Sequence, residues 1–211
     1  MAKRQVVLAS VALVLVLSVG TLFAQGAQEY VQSVEQQGGI AEAVAAPASI
    51  DEGILLMREE EKLARDVYLA LYEQWGIRTF ANIARSEQQH MDAVALLMQG
   101  KGIADPVAHA APGEFTNGTI AKLYDELVAF GKQSPLDALT VGAIIEDLDI
   151  ADLEELLSET DDPDTVRVYS ALLRGSENHM RSFAGLLEQY GASYEARHIT
   201  AERLTEILNG R

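Results

Sequence analysis

Apolar residues recur at steps of three, four and seven between Asp51 and Gly76, with Ile54, Met57, Ala64, Tyr68 and Leu71 along one line. This period predicts a long amphipathic helix with Asp51 placed to cap it. A second stripe, Ile83, Val94 and Leu97, predicts a helix over about 79–99 that stops at Gly100 and Gly102. Residues 103–118 contain Pro106, Pro112, Gly113 and Asn117-Gly118 and predict an irregular crossover, followed by a short helix over 120–130. Ser134-Pro135 supplies a cap and a first-turn proline for a third long helix, carrying Leu139, Ala143, Ile150, Leu153 and Leu157 inward. The run Asp161-Asp162-Pro163-Asp164 ends it and starts a fourth, with the stripe Tyr169, Leu172, Ser176, His179, Phe183, Leu186 and Tyr190. A last amphipathic piece, 201–208, is free either to dock on the rest or to remain apart.

Two hairpins joined by a long crossover give an all-α expectation: a ferritin-like four-helix bundle over 51–190, with a short extra helix in the crossover and a C-terminal helical tail over 191–211. The halves echo each other, since Ser86-Glu87-Gln88-Gln89-His90-Met91 and Ser176-Glu177-Asn178-His179-Met180 each fall mid-helix in the second arm of a hairpin.

The N-terminal pattern is different. Lys3 and Arg4 precede an apolar and small-residue run from Val6 to Phe23, followed by Ala24, Gln25, Gly26 and Ala27. Residues 1–24 therefore read as an export signal, or as an N-terminal membrane anchor if they are retained. Residues 25–50, rich in Gln, Ala, Gly and Glu and lacking a lasting period, read as a flexible linker. The expected location is periplasmic, extracellular or N-terminally anchored.

Composition narrows the chemistry. Sixteen Lys and Arg against 32 Asp and Glu leave a net charge of −16, a field that repels phosphate backbones and argues against nucleic-acid partners. The absence of cysteine excludes disulfides, thiolate nucleophiles, zinc ribbons and iron–sulfur clusters. Any metal must sit on Glu, Asp and His.

Those residues occupy the inner stripes. Glu87 and His90, three apart, share the face of Ile83, Val94 and Leu97. Glu61 lies between Met57 and Ala64, Glu146 between Ala143 and Leu153, and His179 between Leu172 and Phe183. Buried carboxylates are costly unless paired, protonated or coordinated. Four helices converging on one polar layer are how a bundle assembles a two-metal site, and carboxylate and imidazole donors without thiolate suit iron or manganese. Blander readings compete at this point. Glu59 reads as a solvated acid complementing the helix dipole, Glu146 with Asp147 and Asp149 as an exposed charged face, and His179 as a core histidine. His109 and His198 read as loop and surface residues, and Arg65 and Arg85 as neutralising partners for nearby carboxylates.

The stretch Glu61-Lys-Leu-Ala-Arg-Asp-Val-Tyr68 resembles the first-helix signature Glu-x-x-Ala-Arg-x-x-Tyr of rubrerythrin-type proteins, and Glu87-x-x-His90 is similar to their second-helix ligand pair. The blocks Met57 to Tyr68, Ile145 to Leu153 and Ser176 to Phe183 resemble a bacterial and archaeal family of ferritin-like proteins without an assigned function. The resemblance covers about residues 51–190. It implies a di-iron carboxylate fold, with O₂ or peroxide chemistry, ferroxidation or iron handling as its range of activities.

Glu61 is preferred over the neighbouring Glu60 by its spacing to Tyr68 and its inward face. One feature departs from the superfamily pattern. Its fourth helix should supply Glu-x-x-His, but Glu177 and His179 are only two apart, about 200° around a regular helix. Either a π-bulge brings both inward, or His179 binds alone and Glu177 pairs with Arg181 on the surface.

The expected site is thus Glu61, Glu87, His90, Glu146, His179 and Glu177 around two iron ions, with manganese as an alternative, and Tyr68 as a hydrogen-bond or electron-transfer partner. The expected activity is ferroxidase-like or peroxidase-like oxidation of Fe²⁺ or a small substrate by O₂ or H₂O₂. Without a cysteine-based electron donor, turnover needs an external small-molecule reductant. A non-catalytic metal-sequestering bundle and a structural bundle with a degenerate site are the competing functions, and a homo-oligomer is compatible with any of them.

Overall fold

A computed structural model describes residues 47–210. The expected export segment and the expected linker up to residue 46 lie outside the described residues. Among the described residues all regular structure is helical: α1 (Ile50–Trp75), α2 (Arg78–Lys101), α3 (Gly118–Gly131), α4 (Pro135–Glu159), α5 (Pro163–Gln189) and α6 (Ala201–Asn209). None of these helices is long and apolar enough to cross a membrane.

The helix limits follow local chemistry. Ser49, not Asp51, caps α1, its side chain accepting from the Glu52 amide at 3.3 Å; Asp51 lies in the first turn. Gly76 and Gly102 take left-handed conformations, with φ of 66° and 73°, to close α1 and α2. Ser134 and Asp162 cap α4 and α5, each followed by a proline whose missing amide costs the first turn nothing. α1 pairs with α2 across a tight turn and α4 with α5 across residues 160–162; α1 also meets α4, and α2 meets α5. α3 packs on α1 and α4, and α6 on α5.

Two apolar clusters fill the interior at different depths. One gathers Ile54, Met57, Val94, Leu97, Leu153, Tyr169 and Leu172. The other is built on Tyr68, Phe80 and Phe183, whose ring centroids lie 5.3–6.0 Å apart. Gly142 makes room for Phe183: a Cβ there would come within 2.6 Å of the ring. Tyr190, expected on the inner stripe, is exposed, because it follows the last turn of α5.

α1 is buried without a break from Leu56 to Ala64, although its sequence there is mostly charged. The cause is the crossover, which lies on α1 and is held by side chains of that helix. Arg58 donates to Asp105 at 2.9 and 3.0 Å. Glu59 accepts from the Thr116 and Asn117 amides and the Thr116 hydroxyl; its expected solvation is corrected by this contact. Lys62 donates to Asp66 and to the Ala111 carbonyl and sits 4.5 Å from the centre of the Phe115 ring.

The C-terminal segment is fastened in a similar way. Asp147, fully buried on α4, accepts from the Tyr194 hydroxyl and from the amides of Arg197, His198 and Ile199 at 2.7–3.1 Å. Arg203 of α6 then bridges Glu154 of α4 and Glu177 of α5.

Candidate metal centre

Between the two apolar clusters, Glu61 from α1, Glu87 and His90 from α2, Glu146 from α4 and His179 from α5 meet at one level. The four residues other than His90 are buried, and the His90 side chain is 13% exposed. Glu87 is the centre of the group, with one oxygen 2.7 Å from His90 Nδ1 and the other 2.8 Å from His179 Nδ1. Glu61 approaches His90 Nδ1 at 3.1 Å, and Glu146 approaches His179 Nδ1 at 3.5 Å. The imidazoles are stacked with centroids 5.6 Å apart.

Two overlapping triads result, Glu61–Glu87–His90 and Glu87–Glu146–His179. In each triad the donor atoms lie within 4.8 Å of one another. Each triad can hold one cation, with Glu87 common to both. The chemistry of the donors agrees: one oxygen of Glu61 is buried without a hydrogen-bond partner, and the second oxygen of Glu87 faces Nδ1 of His179 at 2.8 Å. An orphaned oxygen of this kind is expensive to leave unsatisfied, and a bound cation would satisfy it.

Neighbouring groups fix the donors. The Tyr68 hydroxyl donates to Glu146 at 2.5 Å, as its inward position suggested. Ser86 Oγ lies 3.0 Å from His179 Nε2 and sets that ring's orientation. His90 packs on Gly175, where a Cβ would lie 2.5 Å from its Cε1.

Protons stand in the layer where cations could. Burial would lower the imidazoles, but the facing carboxylates Glu61 and Glu87 raise His90 to about 11, and Glu146 and Glu87 raise His179 to about 10. Burial opposes ionisation of Glu87, yet the hydrogen bonds from His179 and His90 lower it to about 2. Glu61 and Glu146 are pushed upward by burial, which outweighs the histidine next to each. Burial, then the nearby Glu146 charge, raises Tyr68 well above the usual phenol range, so it remains a donor.

Glu177 does not join the layer. α5 is continuous α-helix from Pro163 to Gln189, without the bulge that would be needed to turn both residues inward. His179 therefore faces the core and Glu177 faces α6, where it pairs with Arg203 rather than with Arg181. Ser176 takes the inward position and donates to Asp149 at 2.5 Å. Arg65 neutralises Asp66, which is outside the layer, while Arg85 reaches only the Asn82 side chain and the Ala81 carbonyl. His109 is exposed, in the crossover, and the His198 amide is tied to Asp147.

The structure adds acids that the sequence left on the surface. Asp149 is buried one turn from Glu146, and burial pushes it up to about 7. Its three-residue spacing from Glu146 is the signal that could have found it. Glu60 is buried beside the layer, and Asp152 is half-buried next to Glu60.

Residues 50–211 match the family described as "Uncharacterized protein domain (DUF2202)". The chain is 48% identical over 183 residues to "Uncharacterized protein MJ0754" of Methanocaldococcus jannaschii, which spans 86% of this chain and 94% of that protein. A crystal structure of the hypothetical protein MJ0754 from Methanococcus jannaschii DSM 2661 is similar at a TM-score of 0.75 and 50% identity, covering 76% of this chain and 92% of that one.

Proposed function

The chain belongs to the DUF2202 family, and from its buried carboxylate–histidine layer we propose that it is a ferritin-like dinuclear metal protein. Two antiparallel helix pairs joined by a long connection support the ferritin-like four-helix assignment. The observation that carries the metal assignment is Glu87, shared between two histidine Nδ1 atoms at 2.7 and 2.8 Å, with a partnerless buried oxygen of Glu61 in the same layer. Glu61, Glu87, His90, Glu146 and His179 would hold two iron ions, or two manganese ions, through oxygen and nitrogen alone.

Bound iron would supply one-electron chemistry toward O₂ or H₂O₂, with Fe²⁺ itself or a small molecule as the substrate oxidised. The protein's part is positioning and charge. Glu87 would be the ligand common to both cations, while Tyr68 restrains Glu146 and Ser86 restrains His179. Both imidazoles give up a proton when Nδ1 becomes a ligand, so loading releases acid. The apolar clusters on either side keep bulk water out. Since the chain has no cysteine, electrons for repeated turnover come from an external small-molecule reductant. The basic and then apolar N-terminal residues favour an exported or N-terminally anchored protein.

A second reading, metal sequestration without turnover, is favoured by one observation: with Glu177 turned toward Arg203, the layer has one carboxylate fewer than the superfamily pattern. The test is to strip the protein, load Fe²⁺ without oxygen, and then admit O₂. Two irons per chain and a near-ultraviolet band of oxidised paired iron support the oxidase reading. Two irons without oxidation support sequestration. A folded protein that binds no iron removes both. Glu87→Ala removes the shared ligand and should abolish both equivalents while leaving the helices intact.

A further inference from the structure

The carboxylate–histidine layer is closed on most sides. Glu61, Glu87, Glu146 and His179 are buried, apolar clusters lie on either side of them, and the crossover covers α1. A reductant in solvent therefore meets the layer only at the exposed edge of His90. Electrons from outside need a way through the protein, and α1 holds side chains that can carry them.

Tyr68 is fully buried, and its hydroxyl donates to Glu146 Oε1 at 2.5 Å, so an oxidisable phenol touches a member of the layer. Phe80 and Phe183 enclose its ring at centroid distances of 6.0 and 5.3 Å. Phenyl rings are far harder to oxidise than a phenol, so they shield Tyr68 from water without competing with it. Four and seven residues further on, the same helix carries Tyr72 and Trp75, the only tryptophan of the chain. On a regular helix these steps turn by about 40° and about −20° and rise by about 6 and about 10 Å, which sets three oxidisable rings along one stripe. Burial falls along that stripe. Tyr72 is 40% exposed, and Trp75 is half-buried with its indole N–H donating to the Gly131 carbonyl at 2.8 Å. The stripe starts at the layer and reaches solvent in the last turns of α1.

Resting on the dinuclear reading, we propose that Tyr72 and Trp75 are the solvent end of an electron relay through Tyr68, which lets a small one-electron reductant serve the layer without entering it. Reduction of O₂ to two waters takes four electrons and four protons. Two Fe²⁺ ions supply two of the electrons, and the relay supplies the other two singly, with the protons drawn from water. Tyr68 passes an electron inward while its phenolic proton crosses the existing hydrogen bond to Glu146. An electron from Tyr72 or Trp75 then refills Tyr68, and the proton returns from Glu146. Tyr72 gives its own proton to water, whereas Trp75 keeps its N–H on Gly131 as a cation radical. The external reductant restores either ring, and Tyr72 recovers its proton from water.

The test is a single turnover of the full chain, loaded with Fe²⁺ without oxygen and then mixed with O₂ in the presence of a spin trap. Rapid-freeze electron paramagnetic resonance should show an organic radical, and peptide mass mapping should find trap adducts at Tyr72 and Trp75. Tyr68→Phe should still bind two Fe²⁺ but lose the adducts at both rings. The double variant Tyr72→Phe with Trp75→Phe is altered only in the last turns of α1, so it serves if Tyr68→Phe loads poorly. It should bind and oxidise both irons but release more H₂O₂ than the wild type, approaching one per two Fe²⁺, because the second pair of electrons no longer arrives. Two irons bound and oxidised in the wild type with neither radical nor adducts would overturn the relay and leave the dinuclear reading standing. The same follows from undiminished adducts in Tyr68→Phe or from unchanged H₂O₂ release in the double variant. A folded wild type that binds no iron, or binds it without oxidation, would overturn the relay together with the oxidase reading beneath it.

Discussion

Gly175 and His90 are in such close contact that any side chain at 175 must displace the imidazole: a Cβ would lie 2.5 Å from His90 Cε1. Gly175 is in the middle of α5, where glycine costs a helix about 0.5–1 kcal/mol relative to alanine. Its place there is explained by the ring it admits.

Gly175→Ala should therefore leave helicity unchanged or slightly raised while removing one of the two tightly bound cations, since His90 alone leaves its triad. Circular dichroism and metal analysis of the same sample check this. A variant that still binds two cations at wild-type affinity would show that His90 is not a ligand.

Glu177 and Arg203 make the converse case. Their ion pair joins α5 to α6 at a partly exposed position, where such pairs contribute about 1 kcal/mol or less. Glu177→Gln should keep both tight cations and lose no more than that in stability. Loss of a cation in this variant would restore Glu177 to the ligand set.

Asp147 holds the C-terminal segment through three backbone amides and one hydroxyl. Asp147→Ala leaves those donors without an acceptor and should cost about 3 kcal/mol or more. The effect should appear as a lowered melting temperature and as faster proteolysis within residues 191–200. Unchanged proteolysis would mean that α6 holds the segment by itself.

The stripped protein should be most stable at mildly acidic pH. His90 and His179 are raised from about 6.5 to about 11 and about 10, so their contribution is complete below about pH 6.5 and is lost as pH rises toward 10. Asp149, raised to about 7, works in the same direction over a lower range. Glu87, lowered to about 2, contributes fully above about 4.5 and fades as pH falls through 2. Thermal melts in chelator should thus peak between about pH 4.5 and 6.5 and decline toward pH 9. With Mn²⁺ present the trend between pH 6 and 9 should reverse, because the cation displaces the imidazole protons. Parallel curves with and without Mn²⁺ would show that the layer binds protons only.

The all-helical class and most helix limits were legible because α2 and α5 each bury one stripe, so the 3.6-residue period survives in the sequence, while α4, buried on all sides from Val141 to Asp147, was marked by its Ser134-Pro135 start. The same period put Glu87 and His90 on an inner face. It failed at α1, where Arg58 to Asp66 looks like a solvated charged run. The crossover that buries it has no period, and only the structure shows that Glu59 and Lys62 meet Thr116 and Ala111. Asp147 and Asp149 were hidden for the same reason: an acid satisfied by a distant amide or hydroxyl has the same letters as one satisfied by water. The Glu177–His179 spacing was readable, but only a regular α5 decides which of the two faces the core.

Five successive residues, Arg58 to Lys62, each answer to a different neighbour around the circumference of α1: Asp105, Thr116, the Asp152 side, His90, and Ala111. A helix gripped on every side has a single rotational setting, since a turn by one residue, about 100°, would break all five contacts together. The crossover thus works as a clamp on an axle. It fixes the angle at which Glu61 is presented, so loop residues far from His90 in sequence set the aim of its partner.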